Sequence, residues 1–253
     1  MTTLTEASRQ WSTRPDEERF TSLPAMLAAA EYSRQHSRQA VVSSRRLQAV
    51  PTDDNRGILI EGPNGHGYAP THFSFGQLAT LVQAPAGYLR QLPAPMAADC
   101  INYGLQVNRD VEEVGVLITR AEHEATGSLR AATGPKYGRV WNSDVIRALA
   151  DKFGDGVTGN FRVPGEFGRA VEVTKQNTTL YASDRDMFVF LADEENRIEL
   201  PNRRDGKTGA LARGFFVTNS EVGAGALKVK TFLFDYVCKN RIVWGAEAVQ
   251  DIA

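Results

Sequence analysis

The stretch Leu227-Lys228-Val229-Lys230-Thr231-Phe232-Leu233-Phe234-Asp235-Tyr236-Val237-Cys238 decides the fold class. It is rich in β-branched and aromatic residues and holds neither glycine nor proline, so it reads as a long strand. Because side chains alternate along a strand, one face carries Leu227, Val229, Thr231, Leu233, Asp235 and Val237. The other carries Lys228, Lys230, Phe232, Phe234, Tyr236 and Cys238. Neither face is cleanly polar, so both sides of this strand are expected to be covered.

Working outward, further strands are expected at 170–174, 179–182, 187–191, 214–218 and 241–244, with a polar, glycine-containing loop at 202–209. Upstream, Ser22 is placed to cap a helix whose apolar residues are Leu23, Met26, Leu27 and Ala30, with Pro24 tolerated in its first turn. Short strands follow at 40–43 and 57–61, then a turn over 62–67. From 74 to 108 the spacing is helical, in three pieces separated at Pro85, Pro93 and Pro95. Strands at 115–120 and 128–133 precede a helix with a stripe of Val145, Ile146, Leu149 and Phe153, capped by Asn142 or Ser143 and ended by Gly154. Helices concentrated early and strands late predict an α+β fold, with a mostly antiparallel sheet and helices packed mainly from the N-terminal half. The first twenty residues read as a flexible arm, and 21–253 as a single α+β domain.

Composition limits the function classes. The chain has 253 residues, with 29 basic and 30 acidic side chains and 42% apolar residues, an ordinary globular balance. Its net charge of −1 excludes a uniformly basic, histone-like binder. No apolar run approaches the roughly 20 residues of a membrane helix. The N-terminus lacks the apolar core of a secretory signal, so Cys100 and Cys238 are expected as reduced thiols in the cytoplasm of a bacterial host.

Catalytic patterns are scarce. His36, His66, His72 and His123 stand at no metal-ligand spacing, and there is no C-x-x-C, H-E-x-x-H or G-x-S-x-G. The glycines of 62–67 lack the Lys-Ser/Thr of a phosphate loop, and Gly223-Ala224-Gly225 precedes a strand rather than a helix. Asp184 and Asp186 would share a strand face if the strand extended that far, and could then hold a divalent ion. The plainer reading is a solvated strand entry beside Arg185. Neither a metal nor a cofactor is expected.

Charge is unevenly distributed. Arg34, Arg38, Arg45 and Arg46 fall in a stretch without acids, Lys136 and Arg139 in another basic stretch, and Arg203, Arg204, Lys207 and Arg213 in and after the polar loop. Acids concentrate at 110–124 and 184–199. Lysines followed by rings on one pleated face, as in Lys228, Lys230, Phe232 and Phe234, suit single-stranded nucleic acid: ammonium groups for phosphates, rings for stacked bases. The alternative for these charges is a solvated surface with internal ion pairs.

Several separated motifs carry a family resemblance. Leu129-Arg130-Ala131-Ala132 leading into Lys136-Tyr137-Gly138-Arg139-Val140-Trp141-Asn142-Ser143-Asp144-Val145 is one, and Ser183-Asp184-Arg185-Asp186-Met187-Phe188 another. The third is Arg213-Gly214-Phe215-Phe216-Val217-Thr218-Asn219-Ser220-Glu221-Val222-Gly223-Ala224-Gly225-Ala226-Leu227, followed by Cys238-Lys239-Asn240. In this order they resemble the phage/plasmid-like proteins of domain-of-unknown-function family 932 over roughly 129–245. The chain departs from the pattern at Arg241, where the family has glycine. It also stops at Ala253, where members continue, so a C-terminal truncation is expected. The resemblance implies a protein of a phage or plasmid, and a remote relation to single-strand annealing proteins is a further expectation.

The resulting expectation is a non-enzymatic, homo-oligomeric protein that binds and anneals single-stranded DNA in recombination or repair. Its contacts would come from Arg34, Arg38, Arg45, Arg46, Lys136, Arg139, Arg203, Arg204, Lys207, Arg213, Lys228, Lys230, Phe232 and Phe234. Two alternatives stand beside it: an interaction protein acting on a host protein through its acidic segments, and a metal-dependent nucleic-acid enzyme using Asp184 and Asp186. Asn219-Ser220-Glu221 reads as a structural turn in which Glu221 bonds backbone amides.

Overall fold

A computed structural model describes residues 10, 13–63, 65–120, 126–165, 170–200, 209–235 and 243–251, with side chains of 200, 209, 234, 235 and 243–251 left aside. Helices account for 30% and strands for 34%. In chain order the elements are β1 (Arg19–Phe20), α1 (Leu23–Gln35), β2 (Ser37–Ser43), β3 (Gln48–Pro51), β4 (Ile58–Glu61), β5 (Gly67–Pro70), α2 (His72–Leu81), α3 (Ala86–Leu89) and α4 (Ala94–Val107). There follow β6 (Glu113–Thr119), β7 (Gly127–Thr133), α5 (Asn142–Phe153), β8 (Phe161–Arg162), β9 (Leu180–Ala182), β10 (Met187–Leu200), β11 (Gly209–Asn219), β12 (Lys228–Asp235) and β13 (Val243–Asp251). The fold is α+β with mostly antiparallel pairing, as the pattern of elements predicts. Among the described residues no helix is long and apolar enough to cross a membrane.

The chain divides into two compact units. The first comprises 1–31, 140–221 and 225–253, and the second 32–139 and 222–224.

In the first unit, seven strands form an antiparallel sheet in the order β1-β9-β10-β11-β12-β13, with β8 also pairing β10. One face packs Val189, Leu191, Phe215 and Val217 against Leu23, Met26 and Ala30 of α1 and Ile146 of α5. The other face is aromatic: Tyr181, Phe188, Phe190, Phe216 and Phe232 all bury their rings. The α1 cap is the expected one, Ser22 Oγ accepting from the Ala25 N–H at 3.3 Å. For α5 the expected side-chain cap is absent: Trp141 occupies the N-cap, and Asn142 and Ser143 lie within the helix.

Two strand expectations change. The 170–174 stretch is not a strand, because Asn177 takes over its backbone groups: its Oδ1 accepts from the Thr174 N–H at 2.8 Å and its Nδ2 donates to the Glu172 carbonyl. Conversely β10 continues past Leu191 to Leu200 through Asp193 and Glu194, both buried. Glu194 accepts from the Gly165 N–H at 3.0 Å and from Arg162, and Asp193 accepts from Arg213 and Asn196. These partners make burial of the two carboxylates tolerable.

In the second unit a six-stranded sheet runs β2-β6-β7-β5-β4-β3, antiparallel except for the parallel β5–β7 pair. Helices α2 and α4 cover one face, with Leu78, Val82, Ile101 and Leu105 packed on Ile60, Tyr68, Val114, Val116 and Leu129. The prolines act as expected at 85 and 93. Pro95 is instead accommodated in the first turn of α4, where its missing N–H has no helical partner to lose.

Candidate nucleic-acid interface

In the second unit three exposed arginines, Arg38, Arg45 and Arg46, stand on or just after β2, an edge strand. At its start, α1 ends in Tyr32-Ser33-Arg34-Gln35. Arg38 folds back over that end, Nη1 donating to the carbonyls of Gln35 at 2.8 Å and Ser37 at 2.9 Å. Cationic donors suit the carbonyl-rich end of a helix. The remaining donors of Arg38 bond nothing among the described residues, and the residue is exposed. Arg34, on the preceding turn, is half-buried.

At the other end, a single 3₁₀ turn spans Ser44–Arg46. Ser44 is buried, its N–H donating to the Glu112 carbonyl and its Oγ to that of Val111 at 2.7 Å. Leu47 is buried too. Anchored by a buried residue on each side, Arg45 and Arg46 extend into solvent. Glu113, opposite Ser43, and Glu112 moderate the potential at this end. Among the described residues no carboxylate pairs with Arg38, Arg45 or Arg46, whereas Arg14, Arg147, Arg162 and Arg213 all form ion pairs.

Beside the middle of the strand, the Arg139 Nε donates to Gln39 Oε1 at 3.3 Å, and its guanidinium lies 5.3 Å from the Tyr137 ring centroid. Lys136 is exposed in the same turn. Two aromatics that sequence reasoning passed over lie here: Tyr32, 58% exposed with its ring tilted 37° to that of His36 and 4.1 Å from it between centroids, and Tyr137, 36% exposed. Their signal is adjacency to arginine in Tyr32-Ser33-Arg34 and Tyr137-Gly138-Arg139. A cavity of about 230 Å³ lies on the helix-bearing face beside β2, lined by Ala40, Val42, Leu47, Ile60, Tyr68 and Ile118 among others. Its lining is almost wholly apolar, so it offers no hydrogen bonds to a base edge.

The other nominated residues belong to the first unit. Arg213 is exposed but donates to the buried Asp193 at 2.9 Å. Lys228 and Lys230 are half-buried, and the Lys230 ammonium sits 5.5 Å from the Phe216 ring centroid. Phe232 is 3% exposed, its ring edge-to-face with Phe190 at 4.9 Å, so protein already occupies the place a stacked base would need. The backbone of Phe234 lies on β12 and its side chain is outside the described residues, as are Arg203, Arg204 and Lys207.

The aspartates proposed for a metal sit in the turn between β9 and β10, not on a strand face. Asp186 accepts from Arg14 and from Ser183 Oγ, while Asp184 is exposed. Among the described residues no three His, Cys, Asp or Glu side chains converge. The acidic run is likewise not a free surface throughout, since Asp193 and Glu194 are spent on internal bonds. No family model matches the sequence, and neither curated proteins nor solved structures gave a match.

Proposed function

We propose that the protein binds single-stranded DNA without catalysing a reaction, through the basic edge formed by Arg34, Arg38, Arg45, Arg46, Lys136 and Arg139. The observation that carries this reading is the contrast in pairing among the described residues: Arg38, Arg45 and Arg46 are exposed with no carboxylate partner, while Arg14, Arg147, Arg162 and Arg213 form ion pairs. Phosphates supply the missing counter-charge, and each neutralised phosphate releases counterions. Tyr32 and Tyr137 offer ring faces to unstacked bases, a contact worth roughly 1–3 kcal/mol per base. Both features favour an extended single strand over a duplex, whose bases are already stacked.

Within this reading the protein belongs to a phage or plasmid, and its task is annealing in recombination or repair. Annealing requires strands held on a positive surface with bases exposed, and no nucleophile. Fluorescence anisotropy with a single-stranded oligonucleotide across a salt series tests the proposal. Log affinity falling linearly with log salt supports it, and absence of binding at low salt sinks it. Duplex DNA and RNA of the same sequence, added as competitors, establish which nucleic acid is preferred.

A further inference from the structure

Backbone, cavity and charge converge on one strand. In the antiparallel β2–β6 pair, Arg38 faces Ile118, Ala40 faces Val116 and Val42 faces Val114. Just beyond the strand ends, the Arg120 N–H donates to the His36 carbonyl and the Ser44 N–H to the Glu112 carbonyl. Hydrogen-bonded pairs recur every second residue, so the even residues of β2 direct their backbone groups to β6. Gln39, Val41 and Ser43 direct theirs away from the sheet, where no strand among the described residues pairs with them. Arg38 to Val41 are all exposed, and the strand holds neither proline nor lysine to block its edge.

The apolar cavity adjoins this edge. Ala40, exposed, and Val42, half-buried, line it from β2 itself. Residues directly opposite on neighbouring strands share a face, so an added strand would present side chains beside Ala40 and Val42, at the cavity. Its volume of about 230 Å³ exceeds the roughly 150 Å³ that admits a benzene ring, which leaves room for one large apolar side chain.

Charge restricts what such a strand can be. Arg38 stands at the start of β2 and Arg45 and Arg46 just past its end, and the sequence from 32 to 52 holds no acid. Arg38 shares the cavity-side face with Ala40 and Val42, whereas Glu113 pairs with Ser43 on the other face, and Glu112 lies ahead of β6. A second β2 laid on this edge would set arginine against arginine. The complement must bring carboxylates.

We propose that the β2 edge takes up an extended acidic peptide as an added strand, with an apolar side chain in the cavity and carboxylates at Arg38 and at Arg45 and Arg46. Main-chain bonds to Gln39, Val41 and Ser43 hold the strand, the cavity selects its apolar position, and the arginines select its ends. The inference goes beyond the nucleic-acid reading and stands without it, because it rests on a backbone pairing that only a polypeptide makes.

Fluorescence anisotropy of the full chain, without DNA, tests it with the labelled probe Asp-Asp-Thr-Phe-Thr-Leu-Thr-Glu and with the same residues in reverse order. One of the two is expected to bind with a Kd of about 10–100 µM, and at least about tenfold more weakly when Lys replaces the acids or Ala replaces Phe and Leu. N-methylation of alternate residues reads out strand addition directly: methylating one parity blocks binding and methylating the other does not. In the protein, Val41→Pro removes an outward N–H and leaves every β2–β6 bond in place, while the Arg45→Glu, Arg46→Glu double variant reverses the charge at one end. Each is expected to weaken peptide binding at least about tenfold with circular dichroism unchanged. Failure of both probes to bind at about 1 mM overturns the proposal. So do equal effects of the two methylation parities, or binding indifferent to both protein variants. With no DNA in these titrations, their failure leaves the oligonucleotide result as it stands.

Discussion

The buried Glu221 carboxylate accepts a hydrogen bond from the Asn142 backbone N–H at 2.9 Å, joining residues 79 apart in sequence. Asn142 opens α5, so the carboxylate lies at the positive end of the helix and satisfies one of its unpaired amides. Two neighbours complete the junction. Asn219 Nδ2 donates to Asn142 Oδ1 at 2.8 Å and to the Val140 carbonyl, and Ser220 Oγ donates to the carbonyl of Arg185. Three sequence segments, 140–142, 185 and 219–221, are thereby fastened together.

Glu221→Ala leaves that amide buried and unpaired, and is expected to cost about 2 kcal/mol of stability. Glu221→Gln keeps an acceptor oxygen and loses the charge, so a smaller loss of about 1 kcal/mol is expected. Urea denaturation followed by circular dichroism distinguishes the two. Equal and negligible losses would show that the junction contributes nothing to stability.

This junction also shows what could be read from the residues alone. The apolar stripe of α5 was legible because helical periodicity is local, and Glu221 as an amide acceptor followed from its turn composition. That its amide belongs to α5 was not legible, because the contact spans 79 residues. The same holds for β10. A run of Asp193-Glu194-Glu195 looks solvated until the Gly165 amide, Arg162 and Arg213 are known to meet it. At the candidate interface, the arginines of β2 were recognisable by their lack of neighbouring acids. For Phe232 the residues left a covered face and a stacking platform both open, since a strand face of lysines and rings has the same alternation in either case.

Close packing on that aromatic face makes a second prediction. A Cβ on Gly214 would lie 2.6 Å from the Phe232 Cζ and 3.1 Å from the Leu191 carbonyl oxygen. Neither a buried ring nor backbone yields cheaply, so Gly214→Ala is expected to destabilise by about 1–3 kcal/mol. Combining it with Phe232→Leu should recover part of that loss, because the clash goes with the ring. A strictly additive double variant in urea titrations would rule out this steric account.

Asp155 makes stability depend on pH. Its carboxylate accepts from the Thr158 and Val157 N–H groups and from the Thr158 hydroxyl, while its own carbonyl receives the Leu23 N–H at the start of α1. The Thr158 N–H, with the other two donors, holds the carboxyl below its usual range. A folded-state value below the unfolded one means this contribution is full above the unfolded pKa and disappears as pH falls through the folded one. Asp155→Asn is therefore expected to cost about 0.5–1 kcal/mol at neutral pH, with the gap to wild type closing in acid. A pH-independent gap in melting experiments would contradict it.

The salt dependence of DNA binding discriminates among arginines. Arg45 and Arg46 are exposed with no carboxylate partner among the described residues, so each should account for one phosphate contact. Replacing both with alanine is expected to reduce the slope of log affinity against log salt by about 1.4, at roughly 0.7 per phosphate on a single strand. Arg213 differs because its guanidinium is already committed to Asp193. Arg213→Ala should leave the slope unchanged and lower stability instead, by stranding the buried Asp193 carboxylate. The opposite pattern, with the slope falling for Arg213→Ala and holding for the double variant, would move the phosphate contacts from the 3₁₀ turn after β2 to β11 of the first unit.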